Sequence, residues 1–247
     1  MINVLPGVTF DIQNDQALVY NGGQRPTFNN AGTVTESAGA GTSRIDMIFN
    51  NTGTLNLRAG TFQINSGGSS SGPFQVQAGA TLNFSVDTYT FAATATVANA
   101  GAVRFSSGTV TVNGAFSGAG SVTVNGGTAT FAGAYTATGP VTLSSGNLIF
   151  NAPNGVSLPT FTQSNGTLDG AATVTVNGAL SWSGGTMSGS GRTVAQWPAD
   201  PRRPGQVPGQ AHPGHCVWRD VVGRQSHRDK HRRRDQRAAG RHLRHSE

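Results

Sequence analysis

The sequence predicts an all-β fold, a right-handed parallel β-helix (β-solenoid) of roughly 19–21 residues per coil. It covers residues 1–191 and is followed by a disordered basic tail over residues 192–247. Three observations predict it. Apolar-x-apolar segments recur at a fixed spacing, charge is nearly absent where they recur, and both features stop after Gly191.

The repeat is clearest in mid-chain. "AVRFSSGTVTV", "SVTVNGGTATF" and "PVTLSSGNLIF" begin at residues 102, 121 and 140, a constant step of 19. Val103, Val122 and Val141 stay in phase, and so do Gly108, Gly127 and Gly146, and Val112, Phe131 and Phe150. Each unit holds two apolar-x-apolar triplets seven residues apart, Val103 to Val110, Val122 to Ala129 and Val141 to Leu148. The same offset separates Leu55 from Phe62 and Leu82 from Tyr89.

In a strand such a triplet sends its outer residues to one face and its middle residue to the other. Val, Thr and Phe dominate, as strands prefer, and the intervening Gly, Ser, Asn and Ala read as corners. A strand of three residues does not stand alone. If one turn of chain takes about 19 residues, each triplet pairs with its equivalent in the next turn at about 4.8 Å, and stability comes from neighbouring coils and a shared core. About eight to ten such coils are expected, with the right hand carried over from the general preference of parallel crossovers. The alternative is an antiparallel β-sandwich, because "VTVNGGTATF" also reads as two strands around an Asn-Gly hairpin turn. That arrangement does not require Val, Gly and Phe to share one common phase.

Charge follows the same division. Only 11% of the chain is charged, against about 25% in ordinary globular domains. Residues 1–191 hold four Arg (Arg25, Arg44, Arg58, Arg104) and six acids (Asp11, Asp15, Glu36, Asp46, Asp87, Asp169), with no Lys or His. Stacking explains the scarcity, since like charges in facing positions repel, whereas Thr111 over Thr130 or Thr123 over Thr142 does not. Residues 192–247 hold twelve Arg, one Lys and all six His. The start, "MINVLPGVTFDIQND", has neither a basic n-region nor an apolar run, so no signal peptide is expected in this chain. The uncharged stretch 105–168 is too rich in Gly, Ser, Thr and Asn to span a membrane.

The basic tail invites a nucleic-acid reading, a phosphate-neutralising arm. The genetic code gives a different one. Codons for "DQRAAGRHLRHSE", residues 235–247, read one nucleotide later can all be satisfied by "INVLPGVTFDIQN", which is residues 2–14 of this chain. In the same register "VVGRQSHR", from Val221, shifts to a peptide close to "WSGGTMSG", from Trp182. The tail is therefore read as a frame-shifted stretch of the next repeat in a tandem array, and no specific nucleic-acid binding is expected of it.

No catalytic, cofactor-binding or metal-binding residues are assigned. His212, His215 and Cys216 in "HPGHC" are zinc-ligand types but lie where no fold is expected. Ser- and Cys-based triads need a His base, and residues 1–191 contain no His. Polysaccharide acid–base chemistry needs carboxylates within about 5–10 Å, and Asp87 and Asp169 are expected about four coils apart. The other four acids precede the clear phasing, so a cluster at that end stays open. "GAGTS" and "GSGRT" lack the Gly-Lys-Ser/Thr of a phosphate loop and read as corners. Outward Thr rows suggest ice binding weakly, because they look only two deep and are interrupted at Arg104 and Ile149.

"GTLNLRAGTFQI", "AGATLNF", "SGAGSVTVNGG" and "LSWSGGTMSGSG", within residues 33–191, resemble the β-helical repeats of large bacterial surface proteins, of the autotransporter-passenger and filamentous-haemagglutinin-like kind. The resemblance implies a secreted or cell-surface, elongated and non-catalytic protein acting as an adhesin or stalk. Its expected partners are extracellular polysaccharide or a host surface, with self-association through uncapped solenoid ends. The alternative is a carbohydrate-binding or carbohydrate-active β-helix. No cofactor is expected.

Overall fold

A computed structural model describes residues 1–196 of the chain. Those residues form twenty-five strands and no helix. Every ladder between the strands is parallel, which excludes the antiparallel sandwich. The chain winds into a β-solenoid of about nine coils. Residues from 197 onward, with His212, His215, Cys216 and nearly all of the expected tail, lie outside the described residues.

Each coil has three faces. In the second coil, Thr27–Asn30 lies on the first face, Thr33–Glu36 on the second and Thr42–Ile45 on the third. Ile48–Asn51, Thr54–Leu57 and Thr61–Ile64 repeat the pattern and pair with these in register. In mid-molecule the third face runs without a break into the first face of the next coil. Ala102–Val112, Ser121–Phe131 and Val141–Phe150 are thus single bent strands, each half paired with its equivalents above and below. "VTVNGGTATF" is part of one such strand, and its Asn-Gly-Gly turns a corner where a hairpin was the alternative.

That corner explains the phased glycines. Gly108, Gly127 and Gly146 have φ of 71°, 62° and 80°, a region that residues with a Cβ enter at a cost of about 1–2 kcal/mol. A Cβ on Gly127 would also collide with the carbonyl oxygen of Gly108, and one on Gly146 with that of Gly127. Both restrictions select glycine at positions 127 and 146.

Val103 pairs with Val122 and Val122 with Val141, as the constant step requires. The first coil departs from it, because Ile2 pairs with Phe28. Residues 19–26, an irregular and mostly exposed loop, lengthen that coil beyond the expected repeat. The seven-residue offset is also less uniform than it looks. Leu55 and Phe62 lie on the second and third faces, whereas Leu82 and Tyr89 lie on the third and first, so the same spacing bridges two different corners. The last described strand, Thr193–Ala195, pairs with Val174–Val176.

The core fills the tube between the faces. Phe28, Phe49, Leu55, Phe62, Phe74, Tyr89, Val110, Leu148 and Phe150 are buried. Edge-to-face and stacked ring contacts run along the axis from Phe10 through Phe28, Phe49, Phe74, Phe91, Phe84, Phe105 and Phe131 to Phe150, with neighbouring centroids 4.9–6.3 Å apart. Such pairs add about 0.5–1.5 kcal/mol each beyond area burial. One inward row turns polar above Val4. Asn30 Nδ2 donates to Asn51 Oδ1 at 2.6 Å, and Asn51 Nδ2 to Ser70 Oγ at 3.1 Å, so the buried amides satisfy one another from coil to coil.

Candidate functional site

The register places the outward side chains in rows. On the first face Asn3, Asn29, Asn50, Ser69, Thr90, Thr111 and Thr130 stand one above another on seven successive coils. Asn29 Nδ2 donates to Asn3 Oδ1 at 2.9 Å and Asn50 Nδ2 to Asn29 Oδ1 at 3.1 Å. A parallel row holds Thr88, Thr109, Thr128, Asn147, Thr167 and Thr186. The two rows give three consecutive Thr-x-Thr coils, at 88–90, 109–111 and 128–130. They are therefore one coil deeper than the sequence indicates. The step from Thr90 to Thr111 is longer than that from Thr111 to Thr130, and the extra length hides the first of these coils from a constant phase. Ile149 and Arg104 do interrupt their rows. On the third face Thr123, Thr142 and Thr162 align.

The carboxylates are mostly scattered and occupied. Asp87 pairs with Arg25 at 2.8 Å, and Asp46 with Arg44 at 2.9 Å; both pairs sit at the surface. Asp169 accepts the Ser188 hydroxyl at 3.0 Å and the Gly170 N–H. Thr90, Thr111, Thr130, Ile149 and Asp169 are consecutive in one row, which puts Asp169 four coils, about 19 Å, from the coil of Asp87. They do not form an acid–base pair.

At the other end the structure brings acids closer together. Asp11 accepts hydrogen bonds from Gln13 at 2.7 Å and Ser37 at 2.9 Å, which hold its carboxyl below the usual range, with Arg58 adding to the effect. Asp15 Oδ1 accepts the Gly41 N–H at 2.9 Å. Glu36 points inward in the row Ile12–Glu36–Leu57 and is 0% exposed. Burial pushes its carboxyl up to about 7, with the Asp15 charge adding to the rise. Sequence reading missed this inward placement. The signal is there, since aligning "TVTE", from Thr33, with "TLNL", from Thr54, puts Glu36 in the place of Leu57.

"GAGTS", residues 39–43, turns a corner into Thr42–Ile45, and "GSGRT", residues 189–193, turns one into Thr193–Ala195. Both lead into strands, as corners do, and neither opens a helix that could cradle phosphate. Among the described residues no three His, Cys, Asp or Glu side chains group in a metal-binding arrangement. No helix there is long and apolar enough to cross a membrane. An open depression of about 500 Å³ is lined by Asn151, Pro153, Asn154 and Thr173 among others, without a charged side chain at its wall. Comparison with known protein families, characterised proteins and solved structures gives no match.

Proposed function

We propose that the chain is a non-catalytic structural or adhesive segment of a bacterial secreted or cell-surface tandem-repeat protein, a spacer whose polar flank contacts extracellular polysaccharide or a host surface. The observation that supports this reading is the uncharged outward row from Asn3 to Thr130, seven coils long and about 29 Å from end to end. Amides and hydroxyls in a fixed row match the hydroxyls of a neutral glycan and gain nothing from counterion release. Self-association belongs to the same reading. Within this chain Ile2–Val4 and Thr9–Ile12 each pair on one side only, and Leu5 and Val8 are exposed beside them, so a further coil, of the same protein or of another copy, can add there.

Retention of the full chain on insoluble polysaccharides tests the adhesive reading. Binding is expected to survive molar salt and to be lost in an Asn50→Glu, Thr111→Glu double variant that keeps the wild-type melting temperature. Binding that disappears in salt, or that the double variant keeps, overturns it, and the salt-sensitive result instead assigns the interaction to the Arg-rich residues 192–247. The same row suits the second reading, a carbohydrate-binding β-helix with hydrolytic or eliminative activity. Release of reducing ends or of unsaturated products from a retained polysaccharide would favour it.

A further inference from the structure

We propose that the corner formed by residues 15, 36, 39 and 41 holds a hard divalent cation of the calcium type, bound by the carboxylates of Asp15 and Glu36 and the backbone carbonyls of Gly39 and Gly41. The adhesive reading is not needed for this.

Glu36 occupies a core row whose neighbours are Ile12 and Leu57. Packing alone selects leucine there. Both of its carboxylate oxygens are buried and lack a hydrogen-bond partner. The Ser43 hydroxyl beside it donates elsewhere, to the Asn14 carbonyl at 2.7 Å. Among the described residues the two ion pairs engage Asp87 and Asp46, so no arginine neutralises Glu36. An unpaired buried carboxylate costs several kcal/mol unless it takes a proton or a cation.

Three oxygens gather around Gly60, and an Asp15 oxygen approaches the same corner at Gly41. The position that a Cβ on Gly60 would take lies 3.4 Å from Glu36 Oε1, 3.1 Å from the Gly41 carbonyl oxygen and 3.4 Å from that of Gly39. Asp15 Oδ2 lies 3.0 Å from the corresponding point on Gly41. The Gly41 carbonyl accepts one hydrogen bond, from the Thr61 N–H at 2.8 Å, and keeps its second lone pair. Two carboxylates and two carbonyls around a glycine-rich corner suit calcium, which takes six to eight oxygens in adaptable geometry and completes its shell with water. Magnesium demands a tighter octahedron.

Equilibrium dialysis and thermal melting of the full chain in CaCl2 at about pH 8, where Glu36 is ionised, test the assignment. Wild-type protein is expected to bind about one calcium and to melt about 5 °C higher at saturation. Glu36→Leu fits the apolar row and removes a ligand, and Asp15→Asn leaves the core untouched. Loss of both binding and the melting shift in the two variants supports the site. No calcium effect on the wild type, or a full effect in either variant, overturns it and leaves Glu36 as a carboxyl kept neutral by its proton.

Discussion

Glu36 and Gly127 show how much a single position can carry in a stacked fold. Burial raises the Glu36 carboxyl from 4.5 to about 7, so the folded chain holds that proton more tightly than the unfolded chain. Its contribution to stability is complete below about pH 4.5 and is lost as pH rises to about 7, with no further change above. In chelator, the melting temperature is expected to fall across that window by the equivalent of about 3 kcal/mol, and Glu36→Gln to flatten the curve; an unchanged slope in the variant contradicts the assignment. Gly127 carries a backbone requirement. Its positive φ and the Gly108 carbonyl against it predict that Gly127→Ala costs about 2 kcal/mol or more in urea unfolding. Gly79, with φ of 87° and open space around it, bounds the conformational part alone, and Gly79→Ala is expected to cost about 1 kcal/mol. Equal losses in the two variants would mean that the close approach at Gly127 contributes nothing. The phase of Gly108, Gly127 and Gly146 was legible in the sequence because one corner repeats at a constant step. The inward turn of Glu36 was not, because chemical type argues for an outward carboxylate and only the register reveals its place.

Strands here are specified by alternation and corrected by their neighbours. Val103 and Phe105, or Val122 and Val124, turn into the core while Arg104 and Thr123 turn out, as their spacing requires. The length of a strand is less evident. Two short strands were expected in each repeating unit, yet Ala102–Val112 and Ser121–Phe131 each run continuously around a corner, because the glycine corner interrupts the pairing for only a few residues, between Phe105 and Thr109 and between Val124 and Thr128. The rows of side chains that result make facing charge costly. Thr111 and Thr130 are direct neighbours, so Thr111→Lys and Thr130→Lys should each be nearly neutral, and the double variant should lose a further ~0.2–1 kcal/mol. Strict additivity in urea unfolding would show that the two positions do not face each other. The third Thr-x-Thr coil and the four-coil separation of Asp87 and Asp169 both follow from a register that drifts from coil to coil, a drift that no single period extracts from the sequence.

The described residues form a tube whose contacts are made almost entirely between successive coils. That arrangement accounts for the continuous aromatic path from Phe10 to Phe150, for the ladders of Asn on both sides of the first face, and for the scarcity of charge among the described residues. Fold class was legible because each of these features repeats in the sequence. The loop of residues 19–26 was not, since it occurs once and leaves no phase to compare. Disulfide trapping in a Cys216→Ser background tests parallel stacking most directly. Cysteines at Thr111 and Thr130, paired across adjacent coils at about 4.8 Å, suit disulfide geometry and are expected to oxidise readily without loss of stability. Cysteines at Thr123 and Thr128, which would face each other only if "VTVNGGTATF" folded back as a hairpin, are expected to stay reduced. The reverse outcome, a closed Thr123–Thr128 pair and an open Thr111–Thr130 pair, would contradict the solenoid.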